Sequence, residues 1–161
     1  MKKTILLIFF FGCLATNAQS KNKDLQIFTF PEAEKLQRQI QKPIVVFIYT
    51  DWCKICHGMK KQTFKNDGII NVLNDHFYFI NLNAEDKNNI TFLGKTFVYK
   101  PSGTKSGMHE LAKELGSING QISYPTTIIL NTDFEIEVQV NGYIKSNKMS
   151  TVLKKYLKLS H

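Results

Sequence analysis

The run Ile44-Val45-Val46-Phe47-Ile48-Tyr49-Thr50-Asp51-Trp52-Cys53-Lys54-Ile55-Cys56-His57 decides the fold. Its first six residues are continuously β-branched or aromatic, the composition of a central strand covered on both faces. Lys54 to Phe64 reads as a helix, so two thiols three residues apart stand at the junction of a buried strand and a helix. Redox chemistry needs that spacing. The first Cys, on the exposed first turn, has its thiolate favoured by the helix dipole and by free N–H groups. The second lies one turn further in, close enough to attack a mixed disulfide formed on the first. Cys53 is therefore expected to be the nucleophile and Cys56 the resolving thiol, with Lys54 as a nearby cation; their disulfide needs no further cofactor.

Three other readings of the pair compete. A structural staple is disfavoured by magnitude, since closing a loop of four residues is worth roughly 2 kcal/mol in the chain-entropy model and closing 100 residues approaches 5. Cys53-x-x-Cys56-His57 also satisfies the c-type haem attachment pattern, but such proteins wrap a mostly helical chain round the porphyrin, whereas this motif follows a strand. Zinc wants four ligands, and only the scattered His57, His76, His109 and His161 remain, so no metal is expected. His57 reads as an exposed modulator of the thiols, and His109 as plain surface on a helix.

Working outward, Phe30 to Leu36 is helical in pattern, with Pro31 in the first turn and an end by Gln41-Lys42-Pro43. Asp67 to Leu73 suggests a short helix and Phe77 to Leu82 the next buried strand. Ile90 to Tyr99, centred on Gly94-Lys95, suggests a hairpin, and Lys100 to Gly107 a loop. Met108, Leu111, Ala112 and Leu115 mark a helix that Gly116 ends. Thr126 to Leu130 and the alternating Glu135 to Val140 are strands, the second with one wet face, and Met149, Val152, Leu153, Tyr156 and Leu157 stripe a final helix. The order is β-α-β-α-β-β-α, preceded by a helix and, as an option, a strand. This is an α/β chain with an insertion around 88–107 and without internal repeats.

The first residues read as an address. Lys2 and Lys3 precede the apolar run Ile5 to Ala15, and small or polar residues follow, the pattern of a secretory signal too short to span a bilayer. Cleavage is expected after Ala18, giving a signal peptide over 1–18, a flexible lead over 19–24 and one domain over 25–161, exported to an oxidising compartment, most simply a bacterial periplasm. Gly12-Cys13 offers the alternative of a lipid anchor through Cys13, although Phe10 and Phe11 stand where such signals usually carry Leu and a small residue. Of three cysteines and a net charge of +8, removal of 1–18 leaves two cysteines and 19 basic against 13 acidic residues. That residual charge is spread over 54–65 and 146–158 without a recognisable nucleic-acid module, so no nucleic-acid partner is expected.

Asp51-Trp52-Cys53-x-x-Cys56 after an apolar strand, Tyr124-Pro125-Thr126 before a strand some 70 residues later, and Gly142 after the last strand together resemble the thioredoxin-fold family. Within it the stretch Thr50 to Phe64 is most similar to exported thioredoxin-like proteins and to the C-terminal periplasmic domain of the transmembrane disulfide reductase. The resemblance covers about residues 25 to 159. It implies a central mixed sheet flanked by helices, a cis-proline at Pro125 facing the disulfide, and substrate contacts from Tyr124 and Trp52. It also implies protein or peptide disulfide substrates, an upstream membrane-bound thiol donor, a monomeric state and work in the reducing direction. Two positions depart from the family. Phe47 replaces a buried acid and Asn81 a buried Lys, leaving His57, Asp51 or water as candidate proton acceptors. Lys54-Ile55 also replaces the usual Gly-Pro between the cysteines. These departures keep alive a non-catalytic peptide-binding or folding-helper domain.

Overall fold

Strand β1 (Ile44–Tyr49) is buried along almost its whole length because it is sandwiched between two apolar cores. Ile44, Val46 and Ile48 point into one core, and Val45 and Phe47 into the other, the period-2 alternation of a pleated strand. In this computed structural model, which describes residues 24–104 and 106–159, β1 pairs in parallel with β2 (Tyr78–Asn83) and antiparallel with β7 (Thr126–Leu130). Strand β8 (Ile136–Asn141) completes the sheet in the order β2-β1-β7-β8. The expected signal peptide over 1–18, the lipid-anchor alternative at Cys13 and all of the lead but Asp24 lie outside the described residues.

Helices cover both faces, as the α/β reading requires. On one side, α1 (Phe30–Gln37) and α4 (Glu110–Gly116) bury Phe30, Ala33, Leu111 and Leu115. On the other, α2 (Lys54–Gln62), α3 (Asp67–His76) and α5 (Ser146–Leu159) bury Met59, Ile69, Leu73, Met149, Leu153 and Tyr156. Thr29 and Glu32 form a reciprocal capping box that starts α1, with Pro31 in its first turn. The optional leading strand reduces to one bridge between Ile27 and Phe79. Helix α1 ends at Gln37, whose side-chain carbonyl accepts from Lys42 N–H and so bridges the residues expected to continue the helix.

The insertion corrects the sequence reading in three places. The expected hairpin is present as β3 (Ile90–Phe92) and β4 (Lys95–Phe97), but its turn is Leu93-Gly94, both at positive φ, rather than Gly94-Lys95. Two successive positive φ values match the right-handed twist of the flanking strands, and Leu93 is held there by its N–H donating to Glu34 Oε2 at 3.0 Å. Second, the expected loop over 100–107 belongs to another hairpin, β5 (Tyr99–Pro101) with β6 (Gly107–His109), whose three-residue strands are too short to show a period. Gly107 is required there because a Cβ would collide with the Tyr99 ring lying against its backbone. Helix α4 consequently starts at Glu110, two residues later than the pattern suggested.

Third, His109 is fully buried, not surface. Its Nδ1 accepts from Leu111 N–H at 3.2 Å, capping α4, and its Nε2 lies 3.1 Å from Asn88 O. The two partners fix the tautomer with the proton on Nε2. Helical periodicity placed this residue on an outer face; as the residue before the helix it instead turns inward and ties both ends of the insertion together.

Candidate active site

The end of β1 delivers the cysteines. Thr50 O accepts from Cys53 N–H at 3.2 Å, turning the chain sharply, and Cys53 becomes the N-cap of α2. Cys53 and Cys56 form a disulfide with Cα atoms 5.2 Å apart. Cys56 N–H points at Cys53 Sγ from 3.1 Å, an orphan donor of the first helical turn aimed at the sulfur that would carry negative charge on reduction. Cys53 is 6% exposed and Cys56 1%, so the outer sulfur is the one a second polypeptide can reach.

Register places the remaining expected residues. Because Ile48 pairs with Thr126, the segment Ser123 to Pro125 arrives at the level of Thr50 to Cys53. The Tyr124–Pro125 peptide is cis, and Pro125 O accepts from Gly142 N–H at 2.7 Å, so all three family positions meet at one edge. Tyr124 packs against the core that contains both cysteines, and its ring meets Trp52 edge-on at 5.9 Å. Burial, and the carboxylate of Glu85, push the Tyr124 hydroxyl above its ordinary pKa, so it is a neutral hydrogen-bonding group. Trp52 is 66% exposed, a large apolar face beside the disulfide. His57 Nε2 lies 2.8 Å from Asp51 O, which turns the imidazole toward the motif's start, and Lys54 projects into solvent.

Two side chains that the sequence reading did not single out hold this edge. Asn83 Nδ2 donates to Asp51 Oδ2 at 3.0 Å while Asn83 Oδ1 accepts from Glu85 N–H, and Glu85 Oε1 accepts from Trp52 Nε1 at 3.0 Å. The end of β2 therefore clamps the active-site turn at Asp51 and Trp52. Nothing in the spacing of Asn83 and Glu85 announces this, since it depends on parallel pairing of β1 with β2.

The departures at Phe47 and Asn81 are neighbours, paired in the β1/β2 register. Phe47 stacks on Tyr49 with centroids 5.9 Å apart and meets Phe64 at 4.9 Å, so an aromatic cluster fills the space under the motif. Asn81 Oδ1 is buried with no hydrogen-bond partner among the described residues. Lys60, one turn beyond Cys56, lies over the Tyr49 ring and lines the same small cavity as Asn81 and Phe64. Burial lowers the Lys60 pKa from 10.5, and Asp51 partly opposes that shift. Among the described residues no group of three or more His, Cys, Asp or Glu could hold a metal ion, and no helix is long and apolar enough to cross a membrane.

Known proteins resemble this chain in sequence or in fold. Residues 30–157 match the family described as a thioredoxin-like domain. The solved structure of a protein named DsbH oxidoreductase is similar at 19% identity and a TM-score of 0.61, over 85% of this chain and 87% of that one. The reduced C-terminal domain of DsbD from Neisseria meningitidis is similar at 20% identity and a TM-score of 0.49, over 76% and 88%. A Caenorhabditis elegans protein, uncharacterized protein B0495.5, is 32% identical over 72 residues, 45% of this chain. The matched stretch spans about a tenth of that relative's length, 10%.

Proposed function

The chain belongs to the thioredoxin-like domain family, and from that membership and the site's geometry we propose that it is an exported thiol-disulfide oxidoreductase working in the reducing direction. The observation that carries the reading is the Cys53–Cys56 disulfide at the start of α2, with Cys53 outermost and Cys56 N–H aimed at its sulfur. In the dithiol form, Cys53 thiolate attacks one sulfur of a substrate disulfide, forming a mixed disulfide and expelling one substrate thiolate, which takes a proton. Cys56 thiolate then attacks Cys53 Sγ, closing the intramolecular disulfide and releasing the second substrate thiol. Two electrons pass to the substrate, and a dithiol donor, proposed to be membrane-bound, returns them. No further cofactor is needed. Trp52, Tyr124 and Pro125 would border the substrate chain, Asp51, Lys54 and His57 would tune the thiols, and the protein would act as a monomer. The basic and apolar start over 1–18 supports export to a periplasm.

The test is reduction of insulin disulfides with a dithiol donor. Cys53→Ser should fall to the uncatalysed rate; a rate equal to wild type would remove Cys53 from the mechanism. Phe47 and Asn81 favour a second reading, a peptide-holding domain whose turnover is incidental, because no carboxylate is buried among the described residues. Peptide capture unchanged by the double change Cys53→Ser, Cys56→Ser, in a protein that reduces nothing, would establish that reading instead.

A further inference from the structure

The two sulfurs of the motif stand in different electrostatic surroundings. Cys53 is the N-cap of α2 and faces Cys56 N–H at 3.1 Å, so the free donors of the first turn favour its thiolate. Cys56 lies inside the helix and is 1% exposed, yet it must ionise to attack a mixed disulfide on Cys53. Burial in the core that contains Phe47, Met59 and Phe64 opposes that charge.

Lys60 stands one turn further along the same helix. Residues four apart share a helix face with Cβ atoms about 5–6 Å apart, and a helical side chain leans toward the N-terminus, so the Lys60 stem runs back over the turn of Cys56. Its Nζ lies 2.9 Å from the centroid of the Tyr49 ring, which stacks on Phe47 and packs against the core that holds both sulfurs. Lys60 also lines, with Phe64 and Asn81, a cavity of about 410 Å³, and the buried Asn81 Oδ1 has no hydrogen-bond partner among the described residues. A ring face and an amide oxygen both attract a cation, and neither brings a negative charge that would cancel it. Burial lowers the Lys60 pKa from 10.5 and Asp51, whose carboxylate is bonded by Asn83 Nδ2, opposes that shift. The other titratable groups nearby are Tyr49 on β1, Asp86 after β2, whose charge acts on Tyr49, and His57 on α2 itself. Lys65 and Asp24 line the same cavity and lie 3.8 Å from one another.

We propose that Lys60 is a positioning residue for the resolving step: its ammonium, held over the Tyr49 ring beside the Asn81 cavity, supplies the positive field in which Cys56 ionises. The proposal rests on the reading of Cys56 as resolving thiol. In that step Cys56 gives its proton to solvent, its thiolate bonds to Cys53 Sγ, and the bond from Cys53 to the substrate sulfur breaks. The substrate leaves as a thiolate carrying the electron pair and is then protonated.

The test is a stopped-flow reaction of the reduced protein with 4,4′-dithiodipyridine, an uncharged disulfide whose thiopyridone product absorbs light. Attack by Cys53 gives a phase that scales with reagent concentration, and attack by Cys56 on the resulting mixed disulfide gives one that does not. Lys60→Met should slow the Cys56 phase about threefold at neutral pH, an about tenfold smaller thiolate fraction being partly offset by the greater nucleophilicity of the more basic sulfur. The pH midpoint of that phase should move upward. Lys60→Arg keeps the charge and should keep the wild-type rate, while Lys60→Glu should be slower than Lys60→Met. The Cys53 phase should be the same in wild type, Lys60→Met and Lys60→Arg. A Cys56 phase as fast in Lys60→Met as in wild type would overturn the proposal. Equal slowing by Lys60→Met and Lys60→Arg would also overturn it, since packing or proton acceptance by the amine would then be the role. So would slowing of both phases alike, or a wild type without the Cys56 phase. Insulin reduction is assayed in parallel: a wild type that shows both phases and the dependence on Lys60, yet reduces no insulin, would sink the oxidoreductase reading and leave the role of Lys60 standing.

Discussion

The two faces of the sheet are organised by different physics. On the face of α2, α3 and α5, the chain announces each element locally: a six-residue apolar strand, a thiol N-cap, an Asn66 cap on α3 and a regular stripe on α5. On the other face, the segment from Asn88 to His109 forms two hairpins of three-residue strands, which are below the size that is stable alone. They persist because Phe92 and Phe97 enter the core formed by α1 and α4, where Phe92 meets Phe30 at 4.9 Å and Phe134 at 5.5 Å, and because long-range hydrogen bonds fix their ends. Glu110 Oε2 accepts from Val98 N–H, Glu34 from Leu93 N–H, and His109 reaches Asn88. One face thus holds the Cys53–Cys56 disulfide on a self-specified frame, while the other builds a wall that exists only by docking.

That contrast can be broken by substitution. Cys56→Ser should have the largest effect, reducing multiple-turnover insulin reduction to the uncatalysed rate and accumulating Cys53 as a mixed disulfide visible by intact mass. The same variant, compared with wild type under reducing conditions, should keep its denaturation midpoint, because the sulfur chemistry is separable from the frame. Phe92→Ala should do the reverse, costing about 3–5 kcal/mol in chemical denaturation while the folded fraction still reduces a small disulfide that does not reach the insertion. Loss of small-disulfide turnover per folded molecule would show that the two faces are coupled after all.

A smaller effect sharpens the role of the buried imidazole. His109→Ala leaves Leu111 N–H and Asn88 O without their side-chain partner, at a cost of roughly 1–3 kcal/mol. Hydrogen exchange should then rise first in 88–109 rather than in α2; uniform loosening would mean that the insertion unfolds only with the whole domain. Smallest is Thr29→Ala, at about 1 kcal/mol for loss of the α1 cap. Hydrogen bonds from Thr29 lower the Glu32 pKa below its ordinary 4.5. The stabilisation from that carboxylate is therefore complete above 4.5 and fades as pH falls through the lower folded value, so the penalty of Thr29→Ala should shrink on acidification.

The legible part of the molecule was local. The strand Ile44 to Tyr49, the thiol pair at a helix start and the α5 stripe are each encoded within a few neighbouring residues or helical turns, and the first two identify the family together with Tyr124-Pro125 and Gly142. His109 was misplaced because a helical period was extended two residues too far, across a β-strand end. Asn83, Glu85 and Lys60 were not distinguished, since a polar residue at a strand end or in an amphipathic helix looks the same whether it meets solvent or a partner.

By itself, then, the sequence determined an α/β frame and the place on it of two neighbouring sulfurs, because backbone propensity, strand burial and the N-terminal turn of a helix act between near neighbours. Tertiary structure alone decided that β2 would clamp Trp52 through Asn83 and Glu85, that Phe47 would lie beside Asn81, and that 99–109 would wall a groove. Each of those depends on register between segments tens of residues apart. Side-chain hydrogen bonds and ion pairs act over a few ångströms, so their partners exist only once the sheet has set that register.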